Sequence, residues 1–153
     1  NAKKILIIDL DVHQGNGTAE IFKKEDRVFT FSIHGQKNYP FRKEQSDWDI
    51  PLEDKTGDDV YLNVLNDTLP RLFERVDPDF VFYLSGVDVL ATDRLGRLGM
   101  SLEGCKQRDE QVLEFCQKRS LPIQCSMGGG YSKDIKLIIE AHANTYRVAQ
   151  RIF

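Results

Sequence analysis

Four short runs, at residues 4–10, 27–33, 79–84 and 122–127, are of strand length, rich in Ile, Val and Phe, and read as apolar on both faces. A strand with two apolar faces has to be covered on both, which is the situation of a parallel sheet enclosed by helices. The stretches between the runs carry helical patterns. One spans 57–76, where Thr56 and Asp59 read as a capping box and Pro70 predicts a kink or a division in two. A second, 102–119, follows Ser101 and turns Val112, Leu113, Phe115 and Cys116 toward the sheet. A third begins after Ser132 with Ile135, Ile138, Ile139, Tyr146, Ala149 and Phe153 as its apolar stripe, and residues 18–24 add a short helix. This order predicts an α/β fold: an open, mostly parallel sheet with right-handed crossovers and helices on both faces, three layers in all. Ligands in such sheets bind beyond the carboxyl ends of the strands.

Those ends carry the chemistry. The first run passes into Asp9, Asp11 and His13, which continue the face of Ile5 and Ile7 if the chain stays extended. Two carboxylates so close repel each other, and a divalent cation between them is the simplest compensation. The third run leads into Ser85-Gly86-Val87-Asp88 and the last into Gly128-Gly129-Gly130-Tyr131, adding a carboxylate and a phenol at the same edge. Taken singly, each of these reads as a solvated turn residue, or, for Tyr131, as packing at a helix start. An apolar strand followed by Asp-x-Asp also opens phosphatases of the haloacid dehalogenase type, in which Asp9 would attack phosphorus, Asp11 would protonate the leaving group, Ser85 would supply the strand-end hydroxyl and magnesium the charge. His13 favours zinc-type coordination over that site, because magnesium prefers oxygen ligands and retained water. A third reading is a metal-stabilised binding module without catalysis. The loop at 35–55, with Tyr39, Pro40, Phe41, Trp48 and Pro51, reads either as a rim over the site or as a self-packed surface loop.

Composition narrows the partners. The 153 residues hold 24 acidic and 21 basic side chains, a net charge of -3 without long runs, which argues against a nucleic-acid stripe or a membrane-binding basic face. No run approaches the roughly 18 apolar residues of a membrane span, and no signal peptide precedes the first strand. Cys105, Cys116 and Cys125 form no Cys-x-x-Cys pair and sit in apolar segments, as free thiols do in a reducing compartment. The expectation is a soluble, cytoplasmic protein and a single domain. Asn1-Ala2 reads as a scar of tag removal, and Phe153 falls inside an amphipathic pattern, so a piece of a longer protein is expected.

The ordered set Asp11-Val12-His13-Gln14-Gly15-Asn16-Gly17, Ser85-Gly86-Val87-Asp88, Asp93-Arg94-Leu95-Gly96 and Gly128-Gly129-Gly130-Tyr131 resembles the zinc-dependent histone deacetylases and their bacterial acyl-hydrolase relatives, of the arginase/deacetylase fold. With Lys106-Gln107-Arg108-Asp109-Glu110, the runs at 14–17 and 93–96 look most like the class IV branch. The resemblance implies a zinc-dependent hydrolase of acylated lysine or a small acylated amine. It makes Asp11, His13 and Asp88 the zinc ligands, Tyr131 the catalytic phenol, and Gly129 and Gly130 part of the substrate channel. Asp9 and Asn16 match positions that support a catalytic histidine pair, and Ser32 with carbonyls near Asp9, Asp11 and His13 matches a structural potassium site. The chain departs from the family in one respect: the adjacent His-His pair that serves these enzymes upstream is absent, and neither His34 nor His142 matches it. This polypeptide alone is therefore expected to turn over little or nothing.

Overall fold

The computed structural model describes residues 2–153; Asn1, read above with Ala2 as a tag scar, lies outside the described residues. The elements run β1 (Ile5–Asp9), α1 (Asn16–Phe22), β2 (Val28–Gly35), β3 (Trp48–Leu52), α2 (Asp58–Val76), β4 (Phe80–Gly86), α3 (Leu102–Lys118), β5 (Ile123–Gly128) and α4 (Ile135–Ile152). The five strands form one sheet in the order β3-β2-β1-β4-β5. Every pairing is parallel, so the sheet is parallel throughout rather than mostly so.

The chain steps outward from β1 to β2 to β3, then returns to lay β4 against the other side of β1 and continues to β5. Right-handed crossovers combined with that reversal put α1 on one face and α2, α3 and α4 on the other, giving the expected three layers. The core follows the same division. Leu6, Ile8, Phe31, Ile33, Val81 and Tyr83 of the sheet are buried in one cluster with residues of α2, α3 and α4, while Ala19 of α1 is buried outside it. Each such aliphatic side chain contributes roughly 1.5–3 kcal/mol by leaving water. The reversal falls between β1 and β4, and the crevice at their carboxyl ends is where sheets of this kind hold ligands.

Several local expectations give way. The loop at 35–55 contains β3, so Trp48 and Pro51 belong to an edge strand and not to a rim; Trp48 lies edge-on to Phe31, with ring centroids 5.9 Å apart. The capping box at Thr56 does not form: its hydroxyl donates to the Glu53 carbonyl, and α2 is capped at Gly57 without a side-chain bond. Asp58, the first residue of α2, instead accepts from the N–H and hydroxyl of Ser101, while Ser101 caps α3 as expected by accepting from Gly104. Pro70 lies inside one continuous helix and neither splits nor ends it. Pro70 and Asn66 are both exposed, so water can serve the Asn66 carbonyl that loses its helical donor. The apolar stripe read along α4 faces the core only in part: Ile138 packs against it and Ala149 is half-buried, whereas Ile135, Ile139, Tyr146 and Phe153 are exposed, and the buried positions are Ala141, Thr145 and Val148. No helix among the described residues is long and apolar enough to cross a membrane.

Candidate metal centre

Alternation along β1 stops at Asp9, and the carboxylates themselves bend the chain. Asp11 N–H donates to Asp9 Oδ1 (3.1 Å) and His13 N–H to Asp11 Oδ1 (2.9 Å), two successive turns closed by Asp side chains. Asp9, Asp11 and His13 therefore do not share one face. Asp9 is buried with an exposure of 5 % and stands in register with Ser32 of β2, on the side covered by α1. Asp11 and His13 turn toward the end of β4, where they meet Asp88.

One ligand atom from each of Asp11, His13 and Asp88 lies within 4.8 Å of the others. His13 Nδ1 is 2.9 Å from Asp11 Oδ1 and 3.2 Å from Asp88 Oδ2. Asp88 Oδ1 accepts the Val12 N–H at 2.9 Å, which fixes the carboxylate, while its buried Oδ2 faces the His13 imidazole at 3.2 Å without a well-formed hydrogen bond. Donor atoms about 2.0–2.2 Å from a tetrahedral zinc ion stand roughly 3.3 Å from one another, so the spacing fits such an ion. The donor set, one imidazole and two carboxylates, suits zinc better than magnesium.

Protonation tells the same story. Bonded to Asp11 and then to Asp88, the His13 imidazole is pushed up to about 10. Burial and the neighbouring Asp11 charge push Asp9 up to about 7. Burial also raises Asp88, whereas in Asp11 the upward push of burial is outweighed by the bonds from His13, which hold its carboxyl low. Binding of a metal by an imidazole requires its neutral form, so metal and proton compete for His13.

The end of β5 closes the site from the other side. Gly129 has φ +63°, and a Cβ there would stand 2.3 Å from both Cγ and Oδ2 of Asp88; Gly130 follows with φ +106°. Replacing Gly129 by Ala would strain the backbone and push the Asp88 carboxylate aside, so any affinity of this cluster for a divalent metal is expected to fall by roughly 10- to 100-fold, the range seen when a ligand's support is removed. Titration with a competing chelator measures it; unchanged affinity would show that Asp88 is not held by this contact. Tyr131 comes directly after the turn, with its side chain 45 % exposed.

The structure separates the other expected residues. Asn16 opens α1, and its N–H donates to the Gln14 carbonyl. Ser32 is buried beside Asp9, with its hydroxyl 3.0 Å from His34 Nδ1; burial pushes the His34 imidazole down to about 4. Tyr39 and Phe41 do form a rim: with His13, Lys37, Asn38, Arg94 and other residues they line a cavity of about 380 Å³ that reaches the candidate ligand. The arrangement does not favour magnesium phosphatase chemistry: Asp9 is only 5 % exposed and its Oδ1 accepts the Asp11 N–H, and Ser85 is fully buried with its hydroxyl donating to the Ser126 carbonyl. The three cysteines stay outside the cluster, and burial pushes their thiols up to about 11 for Cys105 and Cys125 and about 12 for Cys116.

Sequence reasoning missed the support beneath the site. Arg108 and Asp109, both fully buried on α3, form an ion pair, and Arg108 Nη1 donates to the carbonyls of Leu10 (3.1 Å) and Gly86 (2.6 Å). Those carbonyls lie just ahead of Asp11 and Asp88, so one guanidinium ties the two strand ends together. The available signal was position: 105, 108, 109, 112 and 116 fall on one helical face, which puts two charges in an apolar stripe.

Residues 1–146 match the model of the histone deacetylase domain family. An uncharacterized protein of Picosynechococcus sp. is 44% identical over 152 residues, covering 99% of this chain and 51% of that protein. Histone deacetylase 2 of Arabidopsis thaliana is 32% identical over 139 residues, covering 89% of this chain and 36% of that protein. The crystal structure of an HDAC homolog from Aquifex aeolicus superposes with a TM-score of 0.80 at 23% identity, over 97% of this chain and 42% of that one, a likeness of fold. The chain thus spans about half, or less, of the length of these relatives.

Proposed function

The chain belongs to the histone deacetylase family, and on that footing we propose that it is the C-terminal part of a zinc-dependent amide hydrolase that removes acyl groups from acylated lysine or a small acylated amine. The observation that carries this reading is the convergence of Asp11, His13 and Asp88 at the β1–β4 crevice, where one ligand atom from each lies within 4.8 Å of the others. These three residues would hold the zinc. Three protein ligands leave a position open, and a zinc ion so held supplies Lewis acidity toward an amide carbonyl and toward water.

The remaining roles belong to the chain's own side chains. Tyr131 stands after the glycine turn as the hydrogen-bond donor for the oxyanion that develops during attack. The small backbone of Gly129 and Gly130 lets a narrow acyl-lysine channel approach the ligands. Asp9, in register with Ser32, belongs with Asn16 to the support of the site, and the carbonyls near Asp9, Asp11 and His13 form with Ser32 the candidate potassium site. General base work falls to histidines outside these 153 residues. The rest of such a domain would cover the free edge of β5 and the exposed Ile135, Ile139 and Tyr146 of α4. The class IV branch and a cytoplasmic location complete the proposal.

The test is deacylation of an acetyl-lysine peptide by the full-length protein. Activity should be abolished by a chelator and restored by zinc, and Asp88→Asn should lose both the metal and turnover. Full activity in metal-free protein would overturn the reading. The isolated 153-residue chain should show little or no turnover; robust, chelator-sensitive deacylation by it would overturn the assignment of the base.

A further inference from the structure

The run Asp93-Arg94 has no part in the chemistry above, yet it holds the backbone of Tyr131 from both sides. Tyr131 N–H donates to Asp93 Oδ2 at 2.6 Å, and Arg94 Nε–H donates to the Tyr131 carbonyl at 2.9 Å. One residue earlier and one later, the hydroxyls of Thr92 and Ser132 meet at 2.7 Å. Three consecutive residues of the β4–α3 loop thus grip the segment that carries the phenol.

The loop is itself fixed to the candidate metal centre. Asp93 Oδ1 accepts the N–H groups of Leu95 and Gly96, both at 2.8 Å, which folds the loop back on itself. Gly96 then packs so closely on the Asp88 carbonyl that a Cβ would stand 1.9 Å from it. Asp88 and the grip on Tyr131 therefore belong to one short, internally bonded loop.

Such a grip answers a physical need. Tyr131 follows Gly129 and Gly130, two residues with wide backbone freedom, and its half-exposed side chain is not immobilised by burial. Nothing in the local sequence fixes where the hydroxyl points. We propose that Asp93 and Arg94 are positioning residues that set Tyr131 relative to the metal ligands, Asp93 acting through the Tyr131 N–H and Arg94 through its carbonyl. This inference rests on the reading of Tyr131 as the oxyanion donor.

Asp93→Asn separates the grip from the fold of the loop. The asparagine carbonyl can still accept from Leu95 and Gly96, but its NH2 then faces the Tyr131 N–H, donor against donor. Turning the amide over would restore the grip and lose the loop bonds instead. In the full-length protein, Asp93→Asn is expected to lower kcat by about 10- to 100-fold with KM changed much less, the scale for a misplacement of about 1 Å. Zinc content should be unchanged, and amide hydrogen exchange in the 128–132 segment should accelerate. Arg94→Ala, which leaves Asp93 and its loop bonds in place, should give a smaller loss in the same direction.

The deciding measurement is a double-mutant cycle with Tyr131→Phe. If Asp93 acts through the phenol, Asp93→Asn costs less than about twofold once the hydroxyl is gone. An undiminished loss in the Tyr131→Phe background overturns the proposal, as does an unchanged kcat in both Asp93→Asn and Arg94→Ala. If Tyr131→Phe itself leaves kcat unchanged, the reading of Tyr131 has failed, and faster exchange at 128–132 in Asp93→Asn would show that the grip exists without a catalytic purpose.

Discussion

Arg108→Ala is expected to destabilise the protein by about 3–5 kcal/mol, the scale for breaking a buried ion pair by removing one partner. Arg108 and Asp109 are both fully buried. The guanidinium bonds Asp109 Oδ1 through Nε (3.0 Å) and Nη2 (2.8 Å), and the same oxygen accepts from the Tyr83 hydroxyl at 2.5 Å. Asp109 Oδ2 accepts from the Thr145 hydroxyl at 2.6 Å. Deleting the arginine leaves this carboxylate without a counter-charge, and the carbonyls of Leu10 and Gly86 lose their donor from α3. Domains of this size have a total stability of roughly 5–15 kcal/mol, so a large share would go. Urea unfolding followed by circular dichroism measures the loss, and a change below about 1 kcal/mol would sink the account. Because the two carbonyls sit at the ends of β1 and β4, zinc affinity should weaken in parallel.

That network also marks where sequence reasoning succeeds and where it stops. The runs that became β1, β2 and β4 were legible because buried parallel strands are apolar on both faces, and α3 because Ser101 is a strong cap ahead of a clear stripe; β5 was legible as a short run of strand length although it is an edge strand with Gln124 and Met127 exposed. β3 was hidden: Trp48–Leu52 contains Asp49 and Pro51, residues that interior strands avoid and an edge strand tolerates. The helical stripe on α4 was legible as a pattern but not as a direction, since the buried face is chosen by Thr145 reaching Asp109 while the larger apolar residues point out. At the metal centre, residue identity and order brought Asp11, His13 and Asp88 forward. The exclusion of Asp9 depends on two side-chain-to-backbone turns that break the alternation of the strand, and no periodicity contains them. The grip on Tyr131 is made by side chains bonding a main chain 37 and 38 positions away in sequence, and such contacts leave no pattern in composition.

Tyr131→Phe in the full-length protein is expected to lower kcat by about 10²–10³-fold, roughly 3–4 kcal/mol, the loss seen when one oxyanion donor is removed. The substitution deletes a single hydroxyl. The ring is already half exposed, and Asp93 and Arg94 bond its main chain, so the segment should keep its place and the protein its stability. Asp11, His13 and Asp88 are untouched, and zinc content should remain that of the parent protein. A donor that acts only on the developing oxyanion lowers kcat and kcat/KM together, whereas one that binds the ground-state carbonyl equally well shows itself in KM. Steady-state kinetics on an acetyl-lysine peptide, with zinc measured on the same preparations, therefore separates a catalytic phenol from a substrate-binding one. A protein that kept its zinc and its full turnover after Tyr131→Phe would be no oxyanion-hole enzyme at this residue. A metal-stabilised binding module would show no turnover to lose, in the parent protein or after Asp88→Asn, and Asp88→Asn would cost it only its metal.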